Sequence, residues 1–279
     1  LIDDDNYEYE RLKIEAECEG LISAWDTRQE RQVLERLGST KVRKGTRHWV
    51  GEGSGEKTIN AHAVVAPDRW ADDLVRQLMP MLEVVSNQHA NRLARKMKKA
   101  GIHDAMQQDG DGYPDSRSAL GQLVGSNLDA QRLVRTYLGD IEKMIRDSAQ
   151  RQSDRVQKVV ADMEANGDSI DDIKREVRKM VSTRGSWRKG LAIHATTAAI
   201  EGVKSAVIDQ AGPTVTKTWR TRHDERVRPA HKAANGQTVM GGESFKVGGF
   251  PMRWPGDVKA PIELCINCRC WVEVNKVSP

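Results

Sequence analysis

Long apolar runs are absent from this sequence. None approaches the ~18–20 consecutive apolar residues of a membrane-crossing helix, so no transmembrane helix is expected. A basic leader followed by an apolar stretch is missing too, which leaves export by a signal peptide without support. The chain opens Leu-Ile-Asp and not on Met, the expectation for a trimmed product. Aromatic residues are 5% of the chain and charged residues 30%. A ring-filled core is thereby excluded, and an aliphatic core spread over elongated helices is expected instead. Cysteine is scarce: three of the four lie within "CINCRC" at 265–270, and the other is Cys18. Such uneven spacing is not the disulfide framework of a small secreted domain. Neither sign of charge dominates, since 44 Lys and Arg against 40 Asp and Glu give a formal +4. That balance alone does not establish nucleic-acid binding.

What is present divides the chain in two. From about Asn6 to Leu37, apolar positions such as Leu12, Ile22, Trp25 and Val33 recur among charges, a helix of imperfect periodicity. A Gly- and Ser-rich basic stretch at 38–66 reads as an irregular arm. Pro67 suits a first helical turn and opens a helix towards Ala100, which Pro80 is predicted to kink or split. "HDAMQQDGDGYPDSRS" reads as a loop. From about Leu128 to Ala165 apolar residues recur every three or four positions. The polar "RDSAQRQSDR" in its middle predicts that this helix projects beyond a compact core for several turns. Gly167 ends it, Asp168 or Ser169 caps the next, and Ile170, Ile173, Val177, Met180 and Val181 form that helix's buried stripe. A further helix over Arg188–Gln210 carries Ala192, Ala195, Ala199, Gly202 and Ala206, small residues that allow close packing. After Pro213 come glycines, prolines and short β-prone pieces: "TVTKTWRT", "QTVM", "SFKVGGF" and "CWVEVNKV". The expected fold is α+β. A helical region with the basic arm occupies 1–125, a second helical region 126–211, and a small domain of short strands and loops 212–279.

The chemistry concentrates in that last segment. Cys268 and Cys270 are one residue apart, so on an extended backbone they point the same way and can grip one metal. His231, with Cys265 or Asp224, would complete a tetrahedral zinc site. Buried thiols beside a hydrogen-bonded His are a second reading and a disulfide a third, and the spacing does not choose among them. Asp224, Arg228 and His231 contain the groups for acid–base chemistry on a phosphodiester. On a turn-rich segment the same three make a structural network, the reading preferred here. Pro255-Gly256-Asp257 reads as a tight turn with Asp bonding the local backbone. Lys41, Arg43, Lys44 and Arg47 form a basic cluster without acids, a candidate for phosphate contact. A second cluster, Arg92, Arg95, Lys96, Lys98 and Lys99, suits a helix C-terminus. No phosphate loop, nucleophile elbow or metal-spaced pair of carboxylates occurs, so an enzyme is not expected.

Trp219, Asp224, Arg228 and His231, then Gly236, then Pro255, Gly256 and Asp257, then Asn267, Cys268, Arg269 and Cys270 form an ordered set over some fifty residues. Their order and spacing resemble the C-terminal region of phage Mu protein F-like minor head proteins, also called head morphogenesis proteins. The likeness reaches back to about residue 186. Many relatives carry an Arg-Thr-Glu-like signature in the preceding helix, where this chain has Ala195 and Thr197 in place of the Arg and Glu. That departure weakens an enzymatic reading. The resemblance implies a structural minor head protein of a tailed bacteriophage, inside the capsid near the portal, aiding head assembly or DNA packaging and ejection. The partners it implies are the portal protein, the major capsid or scaffolding protein and packaged DNA. It implies the host cytoplasm during assembly and no membrane, while zinc at the cysteine cluster, read from the residues themselves, is the one cofactor considered. A virion-carried nuclease or effector domain is the alternative function.

Overall fold

The computed structural model describes residues 7–38, 61–102 and 127–277, and its class is α+β. The helices are α1 (Tyr7–Gly38), α2 (Ala61–Val64), α3 (Pro67–Lys99), α4 (Asn127–Ala165), α5 (Ile170–Ser182) and α6 (Gly185–Ala211). Short elements follow: β1 (Val215–Arg220), α7 (Pro229–Ala234), β2 (Thr238–Met240), β3 (Phe245–Val247), β4 (Phe250–Met252), α8 (Ile262–Cys265) and β5 (Trp271–Lys276). No helix of the described residues is long and apolar enough to cross a membrane. The chain divides into two compact units. One comprises Leu1–Glu17, Met79–Lys143 and Gly190–Pro279, the other Cys18–Leu78 and Met144–Lys189. The expected segment boundary at 211/212 falls within the first unit, where α6 leads through a single 3-10 turn into β1.

Helix α3 runs unbroken through Pro80, against the expectation of a split. Pro80 is exposed, so its ring meets solvent, and the missing amide removes one hydrogen bond from a helix whose other face is buried. Helix α4 departs from expectation as well. Its polar stretch does not project: Ser148, Ala149, Gln152 and Ser153 are buried. These small or neutral side chains share one face, and both hydroxyls there are used. Ser153 Oγ donates to the Ala149 carbonyl at 3.1 Å, and Ser148 Oγ accepts from Trp187 Nε1 at 3.0 Å. The Gln152 carbonyl accepts from Arg184 at 3.1 Å. Gly167, at φ +77°, lets the chain turn out of α4, and Ser169 caps α5 by accepting from the Asp172 amide.

In the second unit, Trp25 is fully buried, donates to the Trp70 carbonyl at 2.9 Å and lies 6.0 Å from the Trp187 ring. Beside it the buried Asp26 accepts from Arg184 at 2.8 Å and Arg188 at 2.7 Å. Two guanidiniums thus hold a carboxylate that could not otherwise remain charged out of water.

In the first unit, β1 is the centre of an antiparallel sheet of order β2-β1-β5, and β3 and β4 form a separate hairpin. Helix α6 is buried almost throughout, as its small residues predict. Gly202 leaves room for the Trp254 ring, which a Cβ there would meet at 3.5 Å. The backbone of Gly256 approaches Thr197 so closely that a Cβ would stand 3.2 Å from its methyl group, at φ +80°. Two charged residues of α6 reach the outer edge of the sheet. Glu201 accepts the Val272 amide at 2.8 Å, and Lys204 donates to the Val272 carbonyl at 2.9 Å and to Glu201 at 3.1 Å. An edge strand exposes unpaired backbone groups, and here the ion pair takes them. Glu201→Ala should cost about 3–5 kcal/mol in chemical denaturation, because it strands a buried ammonium and a buried amide. Glu201→Ala with Lys204→Met should recover part of that loss. A cost within about 0.5 kcal/mol, the range of an ordinary surface change, would show that the clasp does not hold the strand.

Candidate metal centre

Three short pieces of chain bring the site together. Arg228 and Pro229 start the one-and-a-half-turn helix α7, which carries His231. Helix α8 presents the Leu264 carbonyl, and Asn267, at φ +54°, turns the chain towards Cys268. Cys270 directly precedes β5, whose Val272 pairs with Trp219 of β1. Thr197 Oγ1 on α6 donates to the Cys268 carbonyl at 2.9 Å.

His231 Nδ1 and the sulfurs of Cys268 and Cys270 lie within 4.8 Å of one another, and all three residues are buried. Nδ1 is 3.3 Å from Cys270 Sγ and 3.7 Å from Cys268 Sγ. A zinc ion bound tetrahedrally to one imidazole nitrogen and a thiolate holds those atoms roughly 3.5 Å apart, so the group has the right span. His231 Nε2 donates to the Leu264 carbonyl at 2.8 Å. That bond leaves the lone pair on Nδ1, the tautomer a ligand needs, and fixes the ring plane. Trp219 stands edge-on to His231 at 5.5 Å and to Phe245 at 5.3 Å. Its buried indole N–H has no hydrogen-bond acceptor of normal geometry and favours the Cys270 thiolate from nearby.

The two thiols are electrostatically unlike. The hydrogen bond to Cys268, together with burial, pushes the Cys270 thiol far up. Burial opposes ionisation of Cys268 as well, but the hydrogen bond from Cys270 and the contact with His231 outweigh it and hold Cys268 well below the ordinary thiol range. The pair therefore shares one proton, with Cys268 the sulfur that ionises. A divalent cation would replace that proton and bring both sulfurs to the thiolate form. His231, Cys268 and Cys270 would hold it, and it would supply a crosslink between α7 and the start of β5.

Cys265 stands apart from the four-ligand set expected from sequence. Its thiol lies 3.7 Å from the carbonyls of Ala260 and Ile262, and burial raises it to about 11. Cys265, Cys268 and Cys270 form no disulfide. Asp224 is engaged elsewhere: Arg269 grips its carboxylate with two bonds of 2.6 and 2.7 Å and holds it below the usual carboxylate range. Arg228 donates to the Ile266 carbonyl. Asp257 is buried and accepts the amides of Arg253 and Lys259, each at 3.1 Å, closing the Pro255-Gly256 turn on itself. Gly236, at φ +82°, lets its own amide donate to the Trp219 carbonyl. Lys41, Arg43, Lys44 and Arg47 lie outside the described residues.

His194 on α6 was not singled out in the sequence. It is 3% exposed and its Nε2 has no partner. Burial lowers its pKa to about 4, against the opposing effects of Cys268 and the Gly256 backbone.

Comparison with known proteins gives one family. Residues 154–273 match the model described as Phage Mu protein F like protein. No curated protein and no solved structure matches the chain. The matched stretch contains His194, Thr197, Glu201 and all three residues of the candidate metal group.

Elemental analysis of the purified chain should find about one zinc per molecule. Cys268→Ser, Cys270→Ser and His231→Ala should lose it, and Cys265→Ser should keep it. Metal retained by Cys268→Ser would exclude this ligand set. His194 gives a separate pH signature. Unfolded His194 takes a proton below 6.5 and the folded residue only below about 4. The unfolded state therefore binds more protons in that window, and stability falls as pH drops through it, by about 3 kcal/mol in all. Denaturation of His194→Gln from neutral pH to about 4 should show a shallower decline than the unsubstituted chain; parallel declines would exclude a buried neutral His194.

Proposed function

We propose that this chain, which matches the Phage Mu protein F like family over residues 154–273, is a structural minor head protein that works inside the capsid near the portal. The family is one of phage head morphogenesis, and the virion is where such a protein belongs. The observation that carries the reading is that the family match and the buried His231–Cys268–Cys270 group coincide. The residues of the shared pattern are spent on backbone and on one another. Asp224 holds Arg269, Asp257 closes its own turn, Arg228 holds a carbonyl, and His231 is 2% exposed. A group so buried suits a crosslink in a load-bearing domain better than a site that must admit a phosphodiester, and we read the chain as non-catalytic. Portal, major capsid or scaffolding protein and packaged DNA are the partners that this role requires.

Ile141 and Ile145, in the middle of the α4 stripe, are buried in the core. The exposed apolar side chains of the first unit are better candidates for a portal surface: Tyr9 is 74% exposed and Leu12, one turn further along α1, 47%. Co-expressed portal protein should capture the chain, and Tyr9→Asp with Leu12→Asp should weaken capture about tenfold, roughly 1.4 kcal/mol, without changing the melting temperature. In assembled heads the chain should resist external protease. Cleavage in intact particles, or nicking of a plasmid by the metal-loaded chain that Cys268→Ser abolishes, would exclude this function.

A further inference from the structure

We propose that an arginine-lined cavity in the second unit binds the backbone phosphates of nucleic acid. The cavity measures about 320 Å³ and lies between α1 and the first turns of α3. Arg28 and Arg36 enter it from α1, Arg69 and Arg76 from α3, and a single carboxylate, Asp73, faces them. Asp73 is already shared, with Arg28 at 3.9 Å, Arg76 at 3.7 Å and Gln77 Nε2 at 2.8 Å. Arg36 is anchored by a 3.0 Å bond to the Val64 carbonyl, which holds its guanidinium in place. Arg69 is exposed and pairs with no carboxylate among the described residues. Among the described lining residues guanidiniums outnumber carboxylates on a concave wall, where the field is focused.

Two further features point to an anion. Ala66 lines the cavity, and the Trp70 amide is the first to bond back along α3, to the Ala66 carbonyl. The amides of Asp68 and Arg69 thus have no helical acceptor, and the positive end of a 33-residue helix opens here. Gln29 also lines the cavity, is 3% exposed, and has an Oε1 without a partner. A half-turn of that amide exchanges oxygen for nitrogen and offers a donor to an oxyanion.

The walls decide which anion. Small-molecule pockets are mostly apolar, and this one is lined with cations. Trp70 is 4% exposed, so its ring is not free to stack on a base. Guanidinium forks match phosphate oxygens, and a cavity that reads charge without a base binds independently of sequence. The inference rests on the charge and shape of this unit and not on the proposed role in the head.

The test uses the full chain and a short labelled DNA duplex of arbitrary sequence, with anisotropy followed from ~50 to ~200 mM salt. Arg69→Glu with Arg76→Glu changes two exposed residues. It should lower affinity at least tenfold near ~0.1 M salt and reduce the slope of log K against log salt by roughly 2. Arg69→Gln with Arg76→Gln should give the same change in slope, which keeps the test open if the charge reversal unfolds the unit. Lys98→Glu with Lys99→Glu, at the exposed end of α3, should bind as the unsubstituted chain does. An unchanged slope in both arginine variants, or an equal loss in the lysine variant, overturns the proposal. So does a chain that binds pyrophosphate through Arg69 and Arg76 but no duplex, since the site would then serve a free anion.

Discussion

Two backbone groups of Val272 hold the C-terminal domain to its helix. Strand β5 is the outer strand of its sheet, so on the side away from β1 its amides and carbonyls have no strand to meet. Glu201 and Lys204, one turn apart on α6, take both groups of Val272 and neutralise each other. A buried ion pair contributes little by itself once desolvation is counted. Its weight here lies in satisfying an edge that neither water nor another strand reaches. One turn earlier, Thr197 holds the Cys268 carbonyl. Helix α6 thus grips the chain on both sides of Cys270 and sets where its sulfur stands relative to His231.

The His231–Cys268–Cys270 group depends on that grip in a second way. Burial opposes thiolates, yet two sulfurs and an imidazole nitrogen converge where almost no water enters. Without a cation the conflict is relieved by one shared proton, with Cys268 favoured to ionise. The small residues of α6 make this convergence possible. Gly202 lets the Trp254 ring lie against the helix backbone, and a Cβ at Gly256 would press on Thr197. Close backbone approach, not a large apolar core, brings the strands and loops within reach of the helix.

Arginine plays opposite parts in the second unit. Arg184 and Arg188 are drawn in to compensate Asp26, a charge fully removed from solvent. Arg28, Arg36, Arg69 and Arg76 surround a cavity in which acids are outnumbered. The difference is desolvation. A buried carboxylate must be matched at once by cations, whereas cations on an open wall keep their hydration and can exchange it for a ligand.

The sequence by itself determined the elements and the order of the site. Periodicity of three and four drew the helices, Gly167 and Ser169 marked a stop and a start, and β-prone pieces between glycines became β1 to β5, because these signals are local to the backbone. His231, Cys268 and Cys270 were legible as a group, since two thiols one residue apart share a face. The tertiary structure decided what locality cannot carry. Pro80 is tolerated because it faces solvent, and the α4 face at Ser148 and Gln152 is core because Trp187 arrives to use the Ser148 hydroxyl and Arg184 the Gln152 backbone carbonyl. Cys265 looked like a ligand on spacing and is turned away by helix α8. Glu201 and Lys204 lie in a helix that reads as apolar and small, and nothing in "AIEGVKSA" announces a strand to be held. The four arginines of the cavity are scattered from 28 to 76, and only the approach of two helices makes them one surface.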